Sequence, residues 1–198
     1  MNKKHPARLP RFGTTNTKGQ GPIPIIRRAL RTDLNAIATI NAEVFLGHRG
    51  DSKTAKRWAL CFFRTWPAYQ IYVIEVHGII AGYIGWQCHG GFLRPEPVVE
   101  LEQLGISPKF QGRRFGPLLT DESFKAVLAS IIKLNKRIES HVTVIVWGYT
   151  LNLSAMKVYA DWFTDGPAGF RVQYGNRPET MFRKRVPWIK ALNGFPKK

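Results

Sequence analysis

Two glutamates stand two residues apart in an otherwise largely apolar run, Val98 to Ile106 (VVELEQLGI). Strand periodicity puts Glu100 and Glu102 on one face, with Val99, Leu101 and Gln103 on the other. Burial beside a like charge raises the pKa of at least one such carboxylate toward the working pH, which suits a proton acceptor. The structural alternative is a strand that reaches a solvent-filled cleft, where one or both glutamates pair with nearby arginines. After the run come Ser107-Pro108, the loop Gln111-Gly112-Arg113-Arg114-Phe115-Gly116, and a helix expected to start near Pro117. A strand that delivers a glycine-containing loop to a helix N-terminus is a device for holding phosphate. The first-turn amides point outward and the helix dipole favours negative charge there. The loop lacks the Gly-Lys-Ser/Thr ending of a P-loop and the GxGxxG spacing of a dinucleotide fold.

The elements that must position these groups are legible in order. Ile25 to Ala29 reads as a first strand, and Thr32 or Asp33 caps a helix through Phe45 whose stripe includes Leu34, Ile37, Ala38 and Asn41. Thr54 to Thr65 is a second helix. Tyr69 to Val76 and Ile79 to Trp86 are β-rich runs joined by His77-Gly78, a hairpin pattern. Val98 to Ile106 is the central strand, and Phe124, Val127, Leu128 and Ile131 stripe the helix after the loop. His141 to Trp147 is a further buried strand, and Asn152 or Ser154 opens a helix carrying Ala155, Val158, Tyr159, Trp162 and Phe163 on one face. Phe170 to Tyr174 and Thr180 to Val186 close the chain as a strand pair. The order is mixed α/β, neither a doubly wound sheet nor a barrel.

Length and composition agree with one domain: the chain has 198 residues, of which 44% are apolar. Residues 1–24 read as a flexible basic tail, 25–186 as the folded domain and 187–198 as a basic C-terminal tail. Thirty Lys+Arg against thirteen Asp+Glu give a net charge of +17. Five of the basic residues lie in the first 24 positions with no acid among them, and seven lie between Arg177 and Lys198, opposed only by Glu179. This surplus fits either contact with RNA or the ribosome through the basic ends, or a solvated, solubilising surface. No run has the length of a membrane helix and no secretory leader is visible, so a cytoplasmic monomer or homodimer is expected. Cys61 and Cys88 have no metal spacing and read as reduced thiols, and no metal is expected.

The loop and its flanks resemble the Q/R-x-x-G-x-G/A motif of the GNAT N-acetyltransferases. In that family a strand ending in V-x-P and two further residues precede the motif, and a Leu-Leu pair follows it. Ile106-Ser107-Pro108, Lys109-Phe110, Gln111 to Gly116 and Leu118-Leu119 fall in that register. One position departs: Arg114 stands where the family usually has Gly. The family's second motif, Asn-x-x-Ala-x-x-x-Tyr followed by Gly-Phe, is matched by Asn152, Ala155, Tyr159 and Gly169-Phe170. The resemblance covers roughly residues 25 to 186. It implies a GNAT fold, with a central, mostly antiparallel sheet of six to seven strands and about four helices.

The activity it implies is direct transfer of acetyl from acetyl-CoA to a primary amine, with a glutamate as general base. Many members keep Glu at the position of Glu100, which ranks it ahead of Glu102. The backbone of Leu104, Gly105 and Ile106 is expected to pair with the pantetheine arm, and Gln111, Gly112, Arg113, Arg114, Phe115 and Gly116 to hold the pyrophosphate. Tyr159 sits where the family places the acid for the departing thiolate, and Asn152 where it bonds the coenzyme arm; core packing and helix capping are the structural readings of these two. The net charge favours a protein or peptide amine, or an aminoacyl-RNA, over a polycationic drug. The alternative is a catalytically silent GNAT-like module that binds nucleic acid or a protein, with Arg114 as its main support.

Overall fold

The computed structural model describes residues 23–46, 52–89, 94–135, 141–173 and 177–187. In chain order come β1 (Ile25–Arg28), α1 (Leu34–Asn41), α2 (Ser52–Arg64), β2 (Tyr69–Val76), β3 (Ile79–His89), β4 (Val98–Ile106), α3 (Phe115–Leu134), β5 (His141–Tyr149), α4 (Leu153–Trp162), β6 (Pro167–Gln173) and β7 (Arg177–Pro187). The strands form one seven-stranded sheet in the order β1-β2-β3-β4-β5-β7-β6. Neighbours are antiparallel except β4 and β5, which run parallel. The expected mixed, mostly antiparallel sheet with four helices is therefore present. Of the two expected tails, only residues 23, 24 and 187 are described; the rest of both lies outside the described residues.

Local chemistry accounts for the joints. The β2–β3 turn places His77 at φ 52° and Gly78 at φ 77°. Two consecutive left-handed residues match the right-handed twist of the strands they join. Asp33 bonds Leu30 N at 2.7 Å and pairs with the Arg27 guanidinium at 2.6 Å, which ties the entry of α1 to β1.

The sheet carries a core on each face. On one, α3 packs Leu119, Phe124, Val127 and Ile131 with Trp86, Val99, Leu101 and Val144. On the other, α1 and α2 pack Ile37, Ile40 and Ala59 with Tyr69, Val73 and Tyr83. The register carries this second face on to Glu100 and the half-buried Ile145, Trp147 and Tyr149 of β5. Cys61 and Cys88 are free thiols. Among the described residues no helix is long and apolar enough to cross a membrane, and no group of three or more His, Cys, Asp and Glu is placed to hold a metal ion.

Candidate active site

β4 and β5 stay paired only from Val98 to Leu101 against Thr143 to Val146. β4 continues to Ile106 and β5 to Tyr149, so beyond Leu101 the two strands part. Residues 102–106 then border a gap on the β5 side, and an extended guest can add to such an edge as a strand would. The parting coincides with a bulge. β3 pairs with β4 as Gly85 with Gln103 and Trp86 with Leu101, which leaves Glu102 as the extra residue. A bulge bends its strand and increases the local twist.

The bulge overturns one expected alternation. With one residue inserted, Gln103 joins Glu100 on the α1 side instead of lying opposite. There Gln103 Oε1 accepts from Asn41 Nδ2 at 2.8 Å and from Tyr83 Oη at 2.7 Å, and Asn41 Nδ2 also contacts Tyr83 Oη at 2.7 Å. Asn41, the polar residue in the stripe of α1, is thus a buried tie between α1, β3 and β4. It sits where α1 passes into a π-helical turn, Ala42–Leu46.

The two glutamates have different surroundings. Glu100 is bonded to His89 Nε2 at 2.5 Å. Glu102 has no hydrogen bond or ion pair among the described residues. Its pKa is raised, first by burial and then by the charge of Glu100, with His89 and Arg171 pulling the other way. A third carboxylate closes the group. Glu179 of β7 is 8% exposed and accepts from Arg171 Nε at 2.8 Å, with Arg177 Nε at 3.9 Å. The Arg171 guanidinium lies 4.0 Å over Trp147, and that of Arg177 lies 4.7 Å over Tyr149. Three glutamates therefore gather at this cleft in a chain of net charge +17. A separate surface cavity bounded by Arg94, Glu96, Val98 and Thr143 lies at the opposite end of the β4–β5 pair.

The loop from Gln111 to Gly116 is built as a tight turn onto α3. After a 3-10 turn at Pro108–Phe110, Gln111 Nε2 reaches back to Ile106 O at 3.0 Å and clasps the loop to the end of β4. Gly112 and Arg114 are both left-handed, at φ 76° and 60°. α3 begins at Phe115, so Pro117 is its third residue rather than its first. It remains in the turn whose N–H groups have no intrahelical partner. Leu118 N to Arg114 O, at 3.3 Å, is the helix-type bond that follows. The Arg113 guanidinium lies 5.4 Å from the Phe110 ring, and Arg114 is exposed. Arg114 holds the conformation a glycine would take freely, at a cost of about 1 kcal/mol. Arg114→Gly is accordingly expected to raise the melting temperature of the ligand-free protein by about 2–4 °C. Arg114→Ala, which keeps Cβ, is expected to leave it unchanged; equal shifts in the two variants would rule out strain as the cause.

Leu104 packs into the α3 core and lies 3.8 Å from a Cβ built on Gly116. A Cβ on Gly105 would lie 2.9 Å from Tyr83 Cε1 and 3.3 Å from Ile40, so this strand position has no room for a side chain. Asn152 is the N-cap of α4, its side chain accepting from Ala155 N at 3.2 Å. Tyr159 packs its ring edge on Gly148 and near Phe163 and Phe182. Burial pushes its hydroxyl up to about 12, so it is a protonated donor at neutral pH. The structure thus gathers Glu100, Glu102 and the backbone of residues 104–106 at the parting strands, with the loop from Gln111 to Gly116 at the end of β4. Sequence reasoning passed over His89, Glu179 and Arg171. Only the register of β3 on β4, and of β6 on β7, brings them to the site.

Comparison with known proteins agrees with this geometry. The acetyltransferase (GNAT) family model matches residues 34–160, more than half of the chain. No curated protein sequence matches the chain significantly. Among solved structures, an acetyltransferase of the GNAT family from Streptococcus pneumoniae superposes with a TM-score of 0.58 at 16% identity, covering 83% of this chain and 99% of that one. A ribosomal-protein-alanine N-acetyltransferase from Brucella melitensis gives 0.59 at 18% identity, over 81% and 99% of the two chains. An aminoglycoside 6'-N-acetyltransferase complexed with coenzyme A gives 0.58 at 13%, over 81% and 96%. At these identities the likeness is one of fold.

Proposed function

Since the chain belongs to the GNAT acetyltransferase family, we propose that it transfers acetyl from acetyl-CoA to a primary amine, with Glu102 as the general base. The observation that carries this reading is the unpaired, bulged Glu102 with its raised pKa, set beside the parted edge of β4.

The residues present fit acetyl-CoA. The edge of residues 104–106 suits the pantetheine arm, and the amides of the left-handed loop and the first turn of α3 suit the pyrophosphate. Arg113 and Arg114 add charge at the same place. Asn152 Oδ1 is used by the helix cap, so a bond from this side chain to the coenzyme arm would come from its amide nitrogen. When bound, acetyl-CoA supplies an activated thioester carbonyl. Glu102 takes a proton from the acceptor's ammonium, directly or through water, because a protonated amine has no lone pair with which to attack. Tyr159 would donate its proton to the sulfur as the thioester bond to the acyl carbon gives way to the bond from the nitrogen, and the second proton that the nitrogen sheds in becoming an amide would restore the phenol. The Glu100 charge beside Glu102 raises the pKa of the base, and the contact with His89 fixes where the Glu100 side chain sits. This order of roles reverses the ranking suggested by the family's usual Glu at position 100.

The acceptor is a primary amine. The case against polycationic amines rested on the whole-chain charge, whereas the cleft itself carries Glu100, Glu102 and Glu179. The case for a silent module rested on Arg114, which nevertheless holds the left-handed backbone that the loop requires. Titration calorimetry with acetyl-CoA tests the proposal: saturable binding at one site per chain is expected, and no detectable heat at millimolar ligand would sink it.

A further inference from the structure

Tyr69 is 2% exposed, yet its hydroxyl has no hydrogen-bond partner. Its neighbours are satisfied: Tyr72 Oη donates to Gln70 at 3.1 Å and Tyr83 Oη to Gln103 at 2.7 Å. A buried hydroxyl left unpaired loses its solvation with nothing in return. The ring is held in place. Its centroid is 4.2 Å from that of Phe62, and its backbone is paired with Gln87. The hydroxyl lies over Gly85, where a built Cβ would collide with it and stand 2.8 Å from Tyr69 Cζ. Gly85 is the partner of Gln103, next to the bulged Glu102, so the hydroxyl sits about one strand spacing, ~4.8 Å, from the strand that carries the bulge, close enough to feel the Glu102 charge. Burial and the charges of Glu102 and Glu100, the former acting more strongly, keep the phenol protonated and neutral. A neutral phenol oxygen can accept from a cationic N–H while the carboxylate takes another.

We propose that Tyr69 Oη and the Glu102 carboxylate form a two-point seat for the ammonium group of the acceptor. The seat rests on the acetyltransferase reading for its purpose and on the orphaned hydroxyl for its place. Tyr69 positions the nitrogen, and Glu102 takes the proton.

Ethylamine serves as the probe. In crystals of the coenzyme A complex soaked with ethylammonium, the nitrogen is expected within hydrogen-bond distance of Tyr69 Oη and a Glu102 oxygen. A nitrogen bound elsewhere, no bound ethylammonium, or a Tyr69 hydroxyl turned onto a protein partner overturns the seat. In thiol-release assays, Tyr69→Phe is expected to raise the KM for ethylamine about tenfold, the worth of one hydrogen bond to a charged group. Acetyl-CoA affinity is expected to stay the same, and the melting temperature is not expected to fall, since the deleted oxygen has no protein partner. An unchanged KM overturns the seat, as does a fall in melting temperature together with a loss of acetyl-CoA affinity, which marks a structural role. If the wild-type chain does not bind acetyl-CoA, the acetyltransferase reading fails, and the ethylammonium soak of the free protein still decides the seat.

Discussion

Replacing Glu102 by Gln is expected to lower kcat by about 10²–10⁴-fold, the range that a positioned general base contributes. Acetyl-CoA affinity is expected to hold, because Gln keeps the shape of the side chain and the bulge backbone is unchanged. Glu100→Gln is expected to act differently. It removes the like charge that raises the pKa of Glu102, so the acid limb of the pH–rate profile moves to lower pH while much of kcat remains. Activity in the wild type rises as pH climbs through the raised pKa of Glu102, since only the ionised carboxylate accepts a proton. A Glu100→Gln variant that loses as much kcat as Glu102→Gln, with no shift of its acid limb, would assign the base to Glu100.

The same carboxylate makes a stability prediction of opposite sign to the usual salt-bridged acid. Because its folded pKa is raised, the native state binds more protons than the unfolded chain between the unfolded and folded values. Its contribution is thus most favourable below the unfolded value and is lost as pH rises through the folded one. Glu102→Gln removes that loss, so its melting temperature should exceed that of the wild type at neutral and alkaline pH and converge with it in acid. Loss of activity accompanied by a gain in stability is the behaviour expected of a functional group held at structural cost.

The largest effect on stability is expected at Trp86. Its side chain is 0% exposed, and its Nε1 donates to Ser123 Oγ at 2.8 Å. Its ring lies 5.5 Å from Phe124 and 6.1 Å from Trp162, which ties β3 to α3 and α4. Trp86 also pairs with Leu101, the residue before the bulge, so it braces the strand from the face opposite the glutamates. Trp86→Ala removes a large buried ring, leaves a cavity and costs about 3–5 kcal/mol. For a chain of this size that corresponds to a fall in melting temperature of roughly 10 °C. Trp86→Phe keeps most of the volume and loses the hydrogen bond, so it should recover more than half of the deficit. Thermal unfolding followed by circular dichroism checks both; a fall of under about 3 °C for Trp86→Ala would show that the site collapses around the deletion.

What the chain determines locally was legible from its residues. The hairpin at His77-Gly78, the apolar stripe of α3, the glycine-containing turn before α3 and the Asn152 cap each follow from interactions between residues near in sequence, and each stands where the spacing places it. The conformational demand at position 114 belongs to the same class: Arg114 occupies the left-handed region that a glycine-preferring loop position implies. The net charge was legible too, but it describes the whole chain and not the cleft. Sequence sums charges over every residue, while folding sorts them by position, and here it brings Glu179 to the neighbourhood of Glu102 through the β7 strand.

Strict period-two alternation predicts Gln103 opposite the glutamates, and one inserted residue reverses it. A bulge is a property of two strands in register, so VVELEQLGI alone cannot reveal which residue is extra. The same pairing gives Glu100 to His89 and leaves Glu102 without a partner. The sequence by itself determined that two carboxylates stand on the strand that leads into a glycine-containing loop and a helix N-terminus. The tertiary structure decided which of them is unpaired and which buried tyrosine hydroxyl is left without a partner nearby, because both depend on contacts between strands far apart along the chain.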